Sequence, residues 1–268
     1  MRKTYETWPN GQELPYQRSE IRKLDMIMNS AWKAAVIASA LVLGACGSEQ
    51  QNSGLDIING SIPSDDGLIE QSTVALVSSN GSVFCTGTLV SSRHVISAAH
   101  CLQGFGGTLY IGFGRNSSEF TYVRASDYTT NPNYTGSFAK SVPGDISIVE
   151  LSESAPSKYN PVSIYKGSIS GQTVYLAGFG QTESGGSGQL YYTSVGVSST
   201  TSNELTVYEN GTGACYGDSG GPAYVYTNGE LQVVGATSRG QTGCRGSSVY
   251  TYIPYFLSWI EGWTGLNL

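Results

Sequence analysis

From Ile57 to Leu268 the chain is written in short runs rich in Val, Ile, Tyr and Thr, each stopped by Gly, Asn or Ser. No other feature constrains the fold as much. β-Branched and aromatic residues suit a pleated, half-buried surface, while glycine and asparagine turn the chain after a few residues. Glycine supplies 35 of 268 residues, so long helices are disfavoured and an all-β sandwich or barrel is expected. Candidate strands are 74–78, 82–89, 94–97, 109–112, 146–151, 173–177, 190–198, 223–226 and 231–236. Asn80-Gly81 and Asn228-Gly229 are the cleanest hairpin signals, because these residue types tolerate the backbone angles of a two-residue turn. No fixed-period repeat is visible. One helix is expected over 253–263, where Ile253, Phe256, Leu257, Ile260 and Trp263 recur at helical spacing.

The first 56 residues have a different character. All the methionines lie there, with Arg2, Lys3, Arg18, Arg22, Lys23 and Lys33. Behind Lys33, residues 34–45 read AAVIASALVLGA, an apolar run of about 12 residues where a bilayer span needs about 20. Such a run behind a charged stretch is a secretory signal, so 1–45 is expected to be an n-region and signal peptide and the protein to be exported. Met26 and Met28 are alternative starts. Leu43-Gly44-Ala45-Cys46 resembles the bacterial lipobox, which implies lipidation of Cys46 and anchoring at the cell envelope. Ordinary cleavage after Ala38-Ser39-Ala40 is the alternative, against which Leu43 counts as a poor residue for a small-residue cleavage site. Residues 46–56 are polar and Gly/Ser-containing, a tether or short propeptide. A net charge of −6 argues against nucleic acid as a partner, since such proteins carry a basic stripe.

Three segments carry nucleophilic chemistry. They are Ser97-Ala98-Ala99-His100-Cys101, then Gly144-Asp145-Ile146-Ser147, then Cys215-Tyr216-Gly217-Asp218-Ser219-Gly220-Gly221-Pro222. A serine hydroxyl attacks an amide only with an adjacent base and a third group to orient that base. The chain has two histidines, His94 and His100. His94 sits among apolar residues and reads as a strand histidine. Asp145 opens the apolar run ISIVEL, so its carboxylate enters a core where it needs a partner; a hydrogen bond to His100 would satisfy it.

These segments strongly resemble the signatures of the chymotrypsin family, in that family's order of His, Asp, Ser and not that of subtilisins or α/β-hydrolases. The likeness spans 57–268, taken as the protease domain. It implies two packed antiparallel Greek-key β-barrels with a C-terminal α-helix, and a serine endopeptidase acting through an acyl-enzyme. His100, Asp145 and Ser219 would be its triad, with the amides of Gly217 and Ser219 as oxyanion hole. It also implies disulfides Cys85–Cys101 and Cys215–Cys244, each contributing about 3–4 kcal/mol, which leaves Cys46 over. Ile57-Ile58-Asn59-Gly60 resembles the mature N-terminus of the family, whose freed amine would pair with Asp218. Asp56 stands where animal zymogens carry Arg or Lys, which leaves the identity of the activating protease open.

Counting from the matched motifs, Gly213 takes the base of the substrate pocket and Gly240 and Ser248 its walls, with Ser238 on the strand leading in. Without an acid at residue 213 the pocket is read as open and neutral, favouring hydrophobic over Arg or Lys side chains. Arg239 and Arg245 are read as surface residues, although either pointing inward would favour acidic side chains. Protein or peptide substrates and an activating protease are the expected partners, for a monomer without metal or other cofactor. A non-catalytic homologue acting as a binding module is the competing reading; it usually betrays itself by a missing triad member.

Overall fold

In the computed structural model, residues 57–136, 144–182, 186–244 and 246–268 are described. The leader, Cys46 and the tether lie outside them, as does Arg245. The first six strands are β1 (Thr73–Ser78), β2 (Val83–Leu89), β3 (His94–Ser97), β4 (Leu109–Phe113), β5 (Thr121–Thr130) and β6 (Ser147–Leu151). They close into a barrel in the order β1-β2-β3-β6-β5-β4. Alternation puts Val74, Leu76, Ile111, Phe113, Val123, Val149 and Leu151 inside.

The second barrel repeats that winding. It consists of β8 (Thr173–Gly178), β9 (Tyr191–Thr200), β10 (Glu204–Glu209), β11 (Pro222–Thr227), β12 (Glu230–Gly240) and β13 (Gly246–Tyr252). Its order is β8-β9-β10-β13-β12-β11, closed by β11 on β8, with the short β7 (Ser163–Ile164) added parallel to β12. Ile57, Val174, Leu176, Leu205, Val207, Val234 and Tyr250 fill it. Asn228 and Gly229 both have positive φ, 53° and 85°, the pair of left-handed residues a tight hairpin turn needs.

The barrels meet through polar and aromatic contacts. Tyr224 of β11 is fully buried, and its hydroxyl lies 2.9 Å from Ser72 Oγ and 3.0 Å from Thr73 Oγ1. Phe120 and Phe179 meet edge to face at 5.3 Å. Thr86 Oγ1 donates to the Gly217 carbonyl at 2.9 Å and accepts from the Phe179 amide at 3.1 Å. Each end of the described chain reaches the opposite barrel. Ile57 is buried in the second core, and Ile58 and Ser61 bridge Gly213 and Tyr192. Trp263, near the C-terminus, meets His94 of the first barrel edge-on at 6.2 Å.

The expected C-terminal helix begins as a 3-10 turn, Ile253–Phe256, with Pro254 at its start, and becomes α-helical over Leu257–Thr264. Only Ile253 and Ile260 of the five expected apolar positions are buried, because so short a helix rests on the surface along one line. Two one-turn helices, α1 (Leu68–Ser72) and α2 (Ala99–Leu102), were not expected. Among the described residues no helix is long and apolar enough to cross a membrane.

Candidate active site

Three chain segments converge where the barrels face each other. β3 ends at Ser97, whose hydroxyl donates to the Thr86 carbonyl at 2.8 Å, and Ser147 Oγ holds the Ala98 carbonyl at 2.9 Å. With both sides of the turn fixed, α2 presents His100. Its backbone amide donates to Asp145 Oδ1 at 2.9 Å, and its Nδ1 lies 2.7 Å from Oδ2. One carboxylate therefore grips both the main chain and the ring of one histidine. The two side chains are only 7% and 4% exposed, and in such surroundings a charge-assisted hydrogen bond is short and strong.

The second barrel completes the cage. Ser238 Oγ donates to Asp145 Oδ2 at 2.7 Å and Thr251 Oγ1 to the Asp145 carbonyl at 2.9 Å. Ser238 thus orients the acid, a contact spanning 93 residues of sequence. The carboxylate charge extends to Tyr134, whose hydroxyl is pushed up to about 12, first by burial and then by Asp145.

Residues 217–221 lie against the His100 turn. The Ser219 carbonyl accepts from the Thr86 amide at 2.9 Å, and the Cys101 sulfur, held in the Cys85–Cys101 disulfide, sits 3.7 Å from the same oxygen. The turn requires glycine at two points. Gly217 has φ +99°, and Gly220 has φ +78°, where a Cβ would stand 2.0 Å from Ser97 Oγ and 2.6 Å from the Ala98 nitrogen. The carbonyls of Tyr216 and Asp218 accept from Gln181 and Gly221 at 2.6 and 2.8 Å. In a trans peptide the N–H points opposite to its C=O, so the Gly217 and Ser219 amides face away from those partners. Asp218 is buried, with Oδ1 and Oδ2 accepting from the Gly180 and Cys215 amides at 2.9 and 2.8 Å.

His94 stays outside the site. Its Nδ1 is 2.7 Å from Ser91 Oγ, and burial lowers its affinity for a proton. Cys215 and Cys244 are joined as expected. Arg239 is paired with Glu204, its two terminal nitrogens 2.8 and 3.0 Å from the carboxylate oxygens. Gly213 lies against the buried carboxyl group of Glu209. The alternation of Leu205, Val207 and Glu209 along β10 was the available signal, since it turns all three inward.

Among the described residues, two clusters have metal-ligand types. In the first, Cys85, His100 and Cys101, both sulfurs are committed to the disulfide. In the second, Lys158 reaches Asp65, Asp66 and Glu70 at 2.9, 3.2 and 3.4 Å, placing an ammonium group among the carboxylates.

Two closed barrels with a buried His–Asp pair and a glycine-rich serine turn between them define the architecture of the trypsin-like serine proteases. The profile of the trypsin family matches residues 58–260, and the chain belongs to that family. It is similar to trypsin of Sus scrofa, 29% identical over 206 residues covering 68% of this chain and 86% of that protein. Trypsin of Saccharopolyspora erythraea is 33% identical over 195 residues, covering 64% and 82%. A chymotrypsin-like serine proteinase of Haliotis rufescens is 26% identical over 205 residues, covering 66% and 79%.

Proposed function

We propose that the protein is a serine endopeptidase with Ser219 as nucleophile, His100 as general base and acid, and Asp145 as the group that orients His100. The observation that carries this reading is the double grip of Asp145 on His100, at 2.9 Å to the amide and 2.7 Å to Nδ1. On this reading the Nδ1 proton is held by Asp145 and Nε2 takes the Ser219 proton. Attack on the scissile carbonyl gives a tetrahedral oxyanion, which the Gly217 and Ser219 amides bind. His100 then returns the proton to the leaving amine. Water, activated by the same imidazole, hydrolyses the acyl-enzyme.

The reading includes a zymogen step. Cleavage before Ile57 frees an amine for buried Asp218 and orders the turn beside it, a role compatible with the burial of both residues. Two disulfides fit an oxidising compartment, in keeping with export. Lipidation at Cys46 would make the same cut release the enzyme from the envelope. Primary specificity on this reading is hydrophobic over Arg or Lys, because residue 213 is Gly and brings no acid side chain of its own to the pocket base.

The test is labelling of the cleaved protein by a fluorophosphonate, together with peptide hydrolysis. Intact protein should label and Ser219→Ala should not, while Asp145→Asn should lower turnover about 10⁴-fold by misplacing the imidazole proton. An intact, cleaved protein that neither labels nor hydrolyses peptides is a binding homologue, and the proposal then fails.

A further inference from the structure

One residue beyond β5, Asn131 is only 3% exposed. Its side-chain Oδ1 accepts from the Asn133 amide at 3.1 Å, and its carbonyl accepts from the Tyr134 amide at 3.0 Å. Those two bonds make the turn expected of Asn131-Pro132-Asn133-Tyr134, with proline at the second place. Two further bonds cross to the chain that carries Asp145. Nδ2 donates to the Gly144 carbonyl at 3.0 Å, and the Asn131 amide donates to the Ile146 carbonyl at 2.9 Å. One residue thus holds the chain on both sides of Asp145.

The consequence for the carboxylate is geometric. Planar peptides leave each residue two soft dihedrals, so fixing consecutive planes fixes the direction of the side chain between them. The Gly144–Asp145 plane is held through the Gly144 carbonyl, by Asn131 Nδ2 and by the Ile146 amide at 2.8 Å. Thr251 holds the Asp145–Ile146 plane through the Asp145 carbonyl, and the Asn131 amide holds the next plane through the Ile146 carbonyl. The Asp145 carboxylate is thereby directed at three donors, the His100 amide, His100 Nδ1 and Ser238 Oγ, at 2.9, 2.7 and 2.7 Å. Gly144 is suited to this contact. It has φ +90°, and a Cβ there would stand 2.3 Å from Asn131 Nδ2, so a side chain would push the amide off its carbonyl. The turn alone does not need that amide, because aspartate or serine would supply an acceptor for the Asn133 amide. Nδ2 is what asparagine adds, and it goes to the residue before Asp145.

We propose that Asn131 is a positioning residue of the candidate active site, whose side-chain amide locks the peptide entering Asp145 and so aims the carboxylate at His100. It acts through Asp145. Without Nδ2 the Gly144 carbonyl keeps the Ile146 amide, a bond within the same short stretch that does not anchor it to the end of β5. Asp145 would then shift by a fraction of an ångström, and a misplacement of about 1 Å can cost about 10²-fold in rate. The proposal rests on the reading of Asp145 as the group that orients His100, and it extends that reading to what orients Asp145.

The decisive variant is Asn131→Ser, which keeps an acceptor for the turn but is too short to reach Gly144. In hydrolysis of a peptide anilide, with active sites counted by fluorophosphonate, kcat should fall about 10–10²-fold while KM stays within about twofold. Asn131→Asp is nearly isosteric and also a good turn residue, yet it should lose at least as much, because a carboxylate oxygen then faces the Gly144 carbonyl. A kcat within about twofold of the intact enzyme in either variant would overturn the proposal, since a residue needed only for the turn gives that result. So would a rise in KM with kcat unchanged. A second readout does not need catalysis. In Ser219→Ala protein with nitrogen-labelled histidine, the His100 Nδ1–H proton should resonate far downfield, as a short charge-assisted bond to Asp145 requires. Adding Asn131→Ser should move it upfield. If the intact protein neither labels nor hydrolyses peptides, the reading of Ser219 as nucleophile fails and this resonance alone decides: an upfield shift upholds the role of Asn131, and an unmoved resonance overturns it.

Discussion

Replacing Gly220 by alanine should separate the barrels at the point where the candidate active site is assembled. The magnitude has two parts. At φ +78° a side chain costs about 1–2 kcal/mol in the left-handed region. The new methyl would also stand 2.0 Å from Ser97 Oγ, 2.5 Å from the Thr86 carbonyl and 2.6 Å from the Ala98 nitrogen. Two of these three are backbone atoms, so the neighbours yield only by moving β2 or the turn before His100. Overpacking of this kind costs about 1–3 kcal/mol, giving a total of roughly 2–5 kcal/mol against a domain stability of about 5–15 kcal/mol. Gly229→Ala is the matched control, because its φ of +85° carries the same backbone strain with nothing within 4 Å of the added methyl. Urea denaturation in a Ser219→Ala background, which prevents self-digestion, should show Gly220→Ala losing clearly more stability than Gly229→Ala. In the Ser219 background the first should also lose most fluorophosphonate labelling and the second should keep it. Equal stability losses would refute the argument that close approach, and not φ alone, demands glycine at 220.

Burial raises the Glu209 carboxyl above its ordinary 4.5, so the folded protein holds that proton more tightly than the unfolded chain. Its contribution to stability is then complete below pH 4.5 and is lost as pH rises through the folded value. Denaturation of Ser219→Ala with and without Glu209→Gln should therefore show the Gln variant gaining relative stability from pH 4 to pH 7, and a falling trend would contradict the raised proton affinity of the buried Glu209. Lys158→Met should leave the buried Glu70 carboxylate without its nearest ammonium. Allowing for the partly exposed lysine, the cost is about 1–2 kcal/mol, and adding Glu70→Gln should recover most of it in a double-mutant cycle.

Nine of the thirteen strands among the described residues are legible in the sequence, and the four others have physical reasons for being missed. β5 points mostly polar side chains outward and buries chiefly Val123, so its alternation is faint. In β10 and β13 the inward positions include Glu209 and Ser248, and a polar interior reads as loop. β7 has two residues. The shared winding of the barrels is also invisible in the sequence, because pairing order depends on which strands meet and not on which residues they contain. At the site, the demand of Asp145 for a buried partner pointed to His100 from chemistry alone. The bond from Ser238 to Asp145 had no local signal. The place of the Glu209 carboxyl group beside Gly213 depends on the inward turn of the last residue of β10.

The exchange of end segments between the barrels has a consequence for any attempt to divide the molecule. Residues 57–61 precede the first barrel in sequence yet complete the core and edge of the second. Trp263 follows the second barrel yet covers His94 of the first. The disulfides each lie within one half, Cys85–Cys101 in the first and Cys215–Cys244 in the second. A single nick between β6 and β7 would therefore yield two fragments with no disulfide between them among the described residues, each still holding a segment the other requires. Expressed separately, each half should lack part of its own surface and fold poorly; expressed together, they should reassemble like two hands in a clasp.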